Sequence, residues 1–130
     1  MRVFKFGGAS VKDAEGVKNV VRVLTEMGHE NTVVVVSAMG KSTNAFEDVV
    51  ARYFEDPTSY KIALHDLEVF HQNIIEELFD GSHTPVAKRV QNLFAQCETF
   101  LANNRSPHNA FVYDQVVSYG ELLSTSIICA

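Results

Sequence analysis

The sequence KFGGAS, residues 5–10, joins a strand-like run to the start of a predicted helix. The glycines at positions 7 and 8 let the backbone approach a ligand closely, because neither residue has a Cβ atom. A helix that begins just beyond them presents free backbone N–H groups and a partial positive charge, to which Lys5 adds a full charge. The stretch therefore predicts an anion site, with phosphate as the best match. Spacing alone leaves open the alternative of a tight strand-to-helix turn with a solvated lysine.

The residues around this stretch predict a strand, a helix and a second strand. Val3–Phe6 has the pattern of a short strand, and Ser10 is predicted to cap the next helix, with Asp13 completing a partial capping box. Apolar residues then recur at helical spacing until Gly28, which is a natural stop. The unbroken β-branched run Thr32–Val36 predicts a strand buried on both faces, as in a parallel sheet. The sequence thus predicts a βαβ unit with a right-handed crossover.

Helices dominate the rest of the predicted structure. Amphipathic periodicity predicts helices over Asn44–Phe54 and Thr58–Phe79, and a third from Pro85 to about Leu101. Gly81–Thr84 is predicted as a loop, and a last helix is predicted from about Ala110 onwards. Because two strands alone make a poor sheet, we expect the front part of a larger α/β domain.

Composition and charge exclude several classes of protein. The net charge of −5 is opposite to the basic balance of general nucleic-acid binders, and it also disfavours anionic membrane surfaces. The sequence has no bilayer-length apolar run and no signal-peptide pattern at its start. Its cysteines, Cys97 and Cys129, and its histidines lack metal-ligand spacing, so free thiols and no metal site are predicted. We expect a cytoplasmic protein that binds neither nucleic acid nor membrane.

A second segment with candidate binding residues follows the second predicted strand. Residues 37–44 are rich in hydroxyl groups, and ligands bind at the carboxyl ends of strands in open α/β sheets. The run Gly40–Thr43 resembles the end of a P-loop, but the glycine that a P-loop requires five residues earlier is replaced by Val35. Simple capping of the next helix by these hydroxyl groups is the alternative.

A third candidate lies in the last predicted helix. Asp114, Ser118 and Glu121 are spaced by four and three residues, which places them on one helix face. Two carboxylates and a hydroxyl along one stripe are suited to binding an ammonium group, and a solvated face is the alternative. Gly120 is costly within a helix, so it indicates close packing of another backbone or a ligand.

Three motifs resemble those of aspartokinases and occur in the same order. The KFGGASV sequence of Lys5–Val11 resembles the KFGGTSV signature that opens these enzymes. Val34–Ala38 followed by Thr43-Asn44 resembles the second motif of the family. Asp114 followed by Gly120–Ser124 resembles its D…GE.LS helix. Since the motifs span nearly the whole chain, the sequence looks like the N-terminal part of an aspartokinase catalytic domain.

The resemblance implies the amino-acid kinase fold, a three-layer α/β/α sandwich around a mainly parallel sheet. Residues 1–130 would be the N-terminal, amino-acid-substrate part of that single domain, helix-rich after residue 44. The implied reaction transfers the γ-phosphoryl group of ATP, with Mg²⁺, to the side-chain carboxylate of L-aspartate. The product, 4-phospho-L-aspartate, leads to lysine, threonine and methionine. A homodimer is implied for the full-length enzyme, and the segment alone is expected to be inactive without the rest of the kinase domain.

The resemblance also implies which residues bind the phosphates. Lys5 corresponds to the catalytic lysine that stabilises charge on the transferring phosphoryl group. Gly7 and Gly8 match glycines whose backbone N–H groups reach the phosphates, and Ser10 belongs to the same predicted site. Ala9 departs from the family, because a threonine is usual there and its hydroxyl group is lost.

The aspartate-binding residues implied by the resemblance are Ser37, Thr43 and Glu121, with Glu121 as the partner of the substrate ammonium. Two other functions stay open at this point. The first is another amino-acid kinase, such as a glutamate 5-kinase, which shares the lysine-glycine start. The second is a non-catalytic regulatory or binding fragment, which the loss of the threonine at position 9 would favour.

Overall fold

The computed structural model of the chain, which describes residues 1–80 and 84–130, contains one two-stranded parallel sheet in those residues. Strand β1 (Arg2–Phe6) pairs in parallel with strand β2 (Thr32–Val36). A short 3-10 helix (Gly8–Val11) and helix α1 (Ala14–Met27) connect them. The predicted strand-helix-strand unit is therefore confirmed, with β2 at its predicted bounds.

Five further helices follow β2 in the described residues, and they are α2 (Ser42–Glu55), α3 (Ser59–Phe79), α4 (Thr84–Asn103), α5 (Asn109–Val117) and α6 (Tyr119–Cys129). Periodicity predicted the first three of these to within a few residues. The loop predicted over Gly81–Thr84 lies outside the described residues, except for Thr84, where α4 begins. The predicted helix-rich character after residue 44 is confirmed.

Helix α1 begins later than the sequence predicted. Its N-cap is Asp13, whose carboxylate accepts a hydrogen bond from the Gly16 N–H at 2.8 Å. Ser10 lies in the 3-10 helix, where its N–H donates to the Gly7 carbonyl at 3.0 Å. The predicted cap at Ser10 is therefore wrong, because the Asp13 carboxylate makes the capping bond instead. A Cβ at Gly16 would lie 2.5 Å from the Ser10 carbonyl oxygen, so the 3-10 helix folds back onto the start of α1.

The predicted last helix is divided into α5 and α6 at Ser118. The Ser118 hydroxyl donates to the Gln115 carbonyl at 2.9 Å, and serine hydroxyls that bond nearby backbone compete with helical hydrogen bonds. Gly120 follows two residues later and lowers helix propensity further. The predicted single stripe of Asp114, Ser118 and Glu121 is thus shared between two helices and the residue that joins them.

The core lies among the helices. Helix α2 packs on α3 and α5, and α4 packs on α3 and α6. The largest fully buried side chains of α2 to α6 in the described residues are Phe46, Val49, Val50, His71, Val90, Leu101, Val112, Leu123 and Ile127. Both cysteines are free thiols, as predicted. Burial raises the pKa of the Cys97 thiol to about 12, which makes it unreactive.

The sheet is covered far less than the helices. Val33, Val34 and Val35 in β2 are 45%, 36% and 44% exposed. The predicted burial of β2 on both faces is therefore wrong. The reason is that β1 is the one strand paired with it in the described residues, and the helices pack mainly on one another. An unbroken apolar run shows what a strand is suited to contact, and the contact itself depends on other segments.

Candidate active site

The carboxyl ends of β1 and β2 meet at one edge of the sheet, where backbone hydrogen bonds join the turns that follow them. The Ser37 N–H donates to the Phe6 carbonyl at 3.0 Å. The Gly40 N–H donates to the Gly8 carbonyl, also at 3.0 Å. These two bonds fix the glycine turn after β1 against the hydroxyl-rich segment after β2. The first and second sequence motifs are therefore adjacent in space.

The two glycines of the first turn have different surroundings. A Cβ at Gly8 would lie 2.8 Å from the Gly40 carbonyl oxygen and 3.0 Å from the Ala38 carbonyl oxygen, so a side chain does not fit there. A Cβ at Gly7 would meet nothing within 4 Å. Gly8 thus permits close approach of the two turns, whereas Gly7 leaves open space beside the backbone. Gly40 has φ of +57°, a left-handed conformation that favours glycine.

Helix α2 begins at the end of the second turn. The buried Ser42 hydroxyl donates to the Met39 carbonyl at 2.6 Å, so it ties the helix to the turn rather than capping the helix N-terminus. Thr43, the next residue, is half-buried, and its hydroxyl makes no hydrogen bond within residues 1–80 and 84–130. Capping therefore does not account for the Thr43 hydroxyl, which stays available to a ligand.

Helix α6 packs directly on the second turn. A Cβ at Gly120 would lie 2.9 Å from the Ala38 Cβ and 3.7 Å from the Phe46 ring, so the glycine allows the helix to approach. The close packing predicted from Gly120 is confirmed, but its neighbours in the described residues are side chains rather than the predicted backbone or ligand. Glu121 follows in the first turn of α6 and is exposed. The third motif is thereby held against the same turn as the other two.

The remaining predicted site residues lie around this edge of the sheet. Lys5 is the penultimate residue of β1, opposite Val35, and its side chain is exposed. Ser10 is exposed in the 3-10 helix, and Ser37 is half-buried directly after β2. In the described part of the chain, none of the side chains of Lys5, Ser10, Ser37 or Glu121 has a hydrogen-bond or ion-pair partner.

One detail of the predicted anion site and one of the predicted ammonium-binding stripe differ in the structure. The helix beside the glycines is a four-residue 3-10 helix, Gly8–Val11, so a long helix dipole does not point at the turn. Asp114 lies on α5, across the break at Ser118, and is separated from Glu121 by that break. Lys5, Lys12 and Lys41 are exposed lysines on or next to the two turns, so positive side chains surround this edge of the sheet.

The side chains at this edge include an ammonium group, hydroxyls and a carboxylate that have no partners in the described residues. Chemically, an ammonium group can bind an anion, and a carboxylate with hydroxyl groups can bind a small polar cation. Within residues 1–80 and 84–130, no three His, Cys, Asp or Glu side chains are grouped to hold a metal ion. The same residues contain no helix with the length and hydropathy of a membrane span.

Sequence reasoning missed the role of the backbone at Ala38 and Gly40. Their carbonyl oxygens form the surface against which Gly8 packs, and the Gly40 N–H makes the bond that joins the turns. The glycine at position 40 could be seen in the sequence as a candidate turn residue. Its hydrogen bond to Gly8 could not be predicted, because that bond depends on the parallel register of β1 and β2.

Comparison with known proteins gives a family and several relatives. The model of the amino acid kinase family matches residues 1–130. The chain is 30% identical to the chloroplastic bifunctional aspartokinase/homoserine dehydrogenase 1 of Arabidopsis thaliana, over 98% of this chain and 14% of that protein. It is 31% identical to the chloroplastic aspartokinase 1 of the same plant, over 98% of this chain and 22% of that protein. The chain thus spans less than a quarter of the length of these two curated relatives.

Two crystal structures of Escherichia coli aspartokinase III have the same fold over part of their length. The complex with aspartate and ADP superposes with a TM-score of 0.78 at 23% identity, covering 98% of this chain and 28% of that one. The complex with lysine and aspartate superposes with a TM-score of 0.76 at 26% identity, with the same coverage. The helix-rich α/β fold with its two-stranded parallel sheet therefore matches part of aspartokinase III.

Proposed function

Because this chain belongs to the amino acid kinase family, we propose that it forms the N-terminal, amino-acid-binding part of an aspartate kinase. The proposed reaction is phosphorylation of the side-chain carboxylate of L-aspartate by ATP, which gives 4-phospho-L-aspartate and ADP. One observation carries the proposal. Gly8 packs on the Gly40 and Ala38 carbonyls and Gly120 packs on the Ala38 side chain, so three aspartokinase-like motifs converge on one turn.

The phosphate end of the proposed site consists of Lys5, Gly7, Gly8 and Ser10. The open space at Gly7 admits a phosphate next to the backbone, and the Lys5 ammonium offsets negative charge on the transferring group. Phosphoryl transfer needs positioning and charge neutralisation more than covalent participation of the protein, and a lysine at a glycine turn supplies both. ATP would enter as its Mg²⁺ complex, and the metal would offset part of the negative charge of the phosphates.

The aspartate end of the proposed site consists of Ser37, Thr43 and Glu121. Glu121 accepts hydrogen bonds from the ammonium group of the bound aspartate. The hydroxyls of Ser37 and Thr43 donate hydrogen bonds to the carboxylates of the same substrate. All three side chains are without partners in the described residues, so they are not already committed to structural bonds. A side-chain carboxylate oxygen of aspartate then faces the γ-phosphorus and attacks it in line with the departing ADP oxygen.

Several finer features follow from the same proposal. Residues 1–130 contribute the two strands and the helical part of a three-layer α/β/α kinase domain with a larger, mainly parallel sheet. The complete enzyme is a homodimer that acts in the biosynthesis of lysine, threonine and methionine. A cytoplasmic location stays a prediction from the sequence. Since the segment covers only a small part of its relatives, we expect the 130 residues alone to turn over little.

The reaction can be tested by trapping its product. A longer protein that contains these residues is mixed with MgATP, L-aspartate and hydroxylamine, and aspartyl hydroxamate, formed from the acyl phosphate, is measured. L-glutamate is compared as acceptor in a parallel reaction. Hydroxamate that depends on aspartate supports the proposal, whereas a preference for glutamate would favour a glutamate 5-kinase. A folded protein that gives neither product would show that the motifs mark ancestry rather than activity.

A matched pair of lysine variants tests the role of Lys5. Removing one group that stabilises transition-state charge typically lowers kcat by about 100-fold or more, so K5A should lose at least that much aspartate-dependent activity. The control is K18A, which removes an exposed lysine from α1. Its activity should stay within about twofold of the unmodified protein, as expected for a surface change. Equal activity of the two variants would remove Lys5 from the phosphoryl site.

A further inference from the structure

A groove of about 330 Å³ lies between α2 and α3, on residues that the candidate active site does not use. That volume is within the range of small-molecule sites. Its apolar surface is formed by Ala45, Ala63, Leu67 and Phe70. The two alanines leave space between the helices that larger side chains would fill. Phe70 is 37% exposed, so apolar surface lies open to solvent in the groove.

Charged side chains line the same groove. Asp48 and Arg52 form an ion pair along α2, with 2.8 Å between Asp48 Oδ2 and Arg52 Nε. Lys41 lines the groove where α2 begins, and Asp66 lines it from α3. Neither Lys41 nor Asp66 has an ion-pair or hydrogen-bond partner within residues 1–80 and 84–130. The groove therefore carries one uncompensated positive charge and one uncompensated negative charge.

The two uncompensated charges are separated along the groove. Residues 56–58 connect α2 and α3. Because this connection is short and the two helices contact each other, they are antiparallel neighbours. Asp48 lies seven residues before the end of α2, and Asp66 lies seven residues after the start of α3. The two aspartates are therefore at the same height along the antiparallel pair. Lys41 precedes Asp48 by seven residues, which is roughly 10 Å along the axis at the helical rise. The start of α2 also has the same sign of partial charge as Lys41.

We propose that this groove binds a small zwitterion with an apolar middle, whose carboxylate lies against Lys41 and whose ammonium lies against Asp66. The apolar middle covers Ala45, Leu67 and Phe70, which lie between these two charges along the helix axes. Long ω-amino carboxylates and short apolar peptides share this chemistry. The proposal is independent of the proposed kinase reaction, because it uses none of the residues assigned to it. Ser42 lines the groove beside Thr43, so the occupied groove lies next to the candidate aspartate site.

Binding is tested by titrating the 130-residue chain with 8-aminooctanoate and following the affinity by calorimetry. We expect 8-aminooctanoate to bind about threefold more tightly than octanoate or octylamine, each of which keeps only one of the two charges. Shortening the ligand to 6-aminohexanoate should weaken binding by about fourfold for each methylene removed from the groove. Triglycine has a similar spacing of charges but a polar middle. It should bind most weakly of these ligands, because it cannot bury apolar groups against the apolar surface of the groove. Equal affinity for octanoate and 8-aminooctanoate would overturn the proposal.

Variants locate the binding to the groove. D66N should remove the advantage of 8-aminooctanoate over octanoate and leave octanoate binding unchanged. E76Q, which alters an exposed acid of α3 outside the groove, should keep the advantage. A63L should abolish binding of every ligand by filling the space between the helices, with circular dichroism confirming that the variant is folded. Identical effects of D66N and E76Q, or full binding to folded A63L, would place the ligand elsewhere and overturn the proposal.

Discussion

The helices and the sheet differ sharply in how far their apolar side chains are buried. Phe46 in α2 and Val90 in α4 are 0% exposed, whereas Val33 and Val35 in β2 are 45% and 44% exposed. Yet the candidate-site turns follow the sheet strands, not the centre of the helical core. The comparison teaches that helix residues form most of the buried core, whereas the exposed Lys5 and Glu121 proposed for the chemistry lie outside it. Substitutions in the two regions should therefore have separable effects.

The largest expected effect tests where the core lies. Phe46 is fully buried and stacks on Phe94 with ring centroids 6.2 Å apart. F46A should lower the free energy of unfolding by about 3–5 kcal/mol, through lost burial and the cavity left behind. V34A removes two methyl groups from a side chain that is 36% exposed, and should cost less than about 1 kcal/mol. Urea denaturation followed by circular dichroism measures both values.

Two results would change this comparison. If F46A does not fold, the milder F46L variant provides the measurement, and it should still lose more stability than V34A. If V34A costs as much as the variant of Phe46, β2 is covered in solution by something other than the described residues, as the sequence had predicted from its apolar run.

The glycine pair after β1 sharpens the comparison within the candidate site. G8A forces a Cβ to within 2.8 Å of one backbone oxygen and 3.0 Å of another, neither of which can move as a flexible side chain would. We expect it to lower the free energy of unfolding by about 1–3 kcal/mol, as overpacking does. G7A meets nothing within 4 Å and should change stability by less than about 0.5 kcal/mol. Equal losses in denaturation would mean that the two turns are not packed as described.

Local features of the fold could be predicted from the sequence. The β-branched run of β2 gave its exact bounds, and helical periodicity located α2 and α3, because both patterns depend on neighbouring residues. The exposure of β2 could not be predicted, since it depends on segments distant in sequence. The break at Ser118 was missed because its hydroxyl bond to Gln115 competes with a helical pattern that continues on both sides.

The candidate site was predictable as a set of motifs but not as a geometry. The glycine pair indicated close backbone approach, and Gly120 indicated close packing. Neither sequence pattern identified Ala38 as the common neighbour of Gly8 and Gly120, because that contact follows from the pairing of β1 with β2 and from the docking of α6. The groove between α2 and α3 was missed for the same reason, since Ala45 and Ala63 line one groove only when the helices pack.

A smaller effect distinguishes the two residues that could cap α1. The Asp13 carboxylate accepts a hydrogen bond from the Gly16 N–H at 2.8 Å, so D13A should lower the free energy of unfolding by about 1 kcal/mol. Ser10, the cap predicted from the sequence, is exposed and its hydroxyl makes no bond in the described residues, so S10A should be nearly neutral. Denaturation in the same urea series compares the two variants. A larger loss for S10A would restore the predicted cap.

The smallest expected effect is a dependence of stability on pH that comes from the helical core. His71 is 0% exposed, its Nδ1 donates to the Leu67 carbonyl at 2.8 Å, and its Nε2 has no partner in the described residues. Burial lowers the pKa of this imidazole from its ordinary value of 6.5, because a proton on Nε2 would place an unpaired charge against the rings of Phe70 and Phe94. Folding thus favours the neutral form.

The sign of the effect follows from this lowered pKa. Above pH 6.5 the imidazole is mainly neutral in both states, and the contribution to stability is complete. As pH falls below that value, the unfolded chain binds a proton that folded His71 resists, so stability declines until the lowered pKa is reached, by at most about 1 kcal/mol between pH 6.5 and 5.5. H71F should flatten the curve of urea midpoint against pH, whereas H65Q, at an exposed histidine of the same helix, should keep the slope. If the urea midpoint of H71F still falls with pH as in the unmodified protein, carboxylates or other histidines cause the dependence. The buried imidazole of the helical core would then contribute nothing to it.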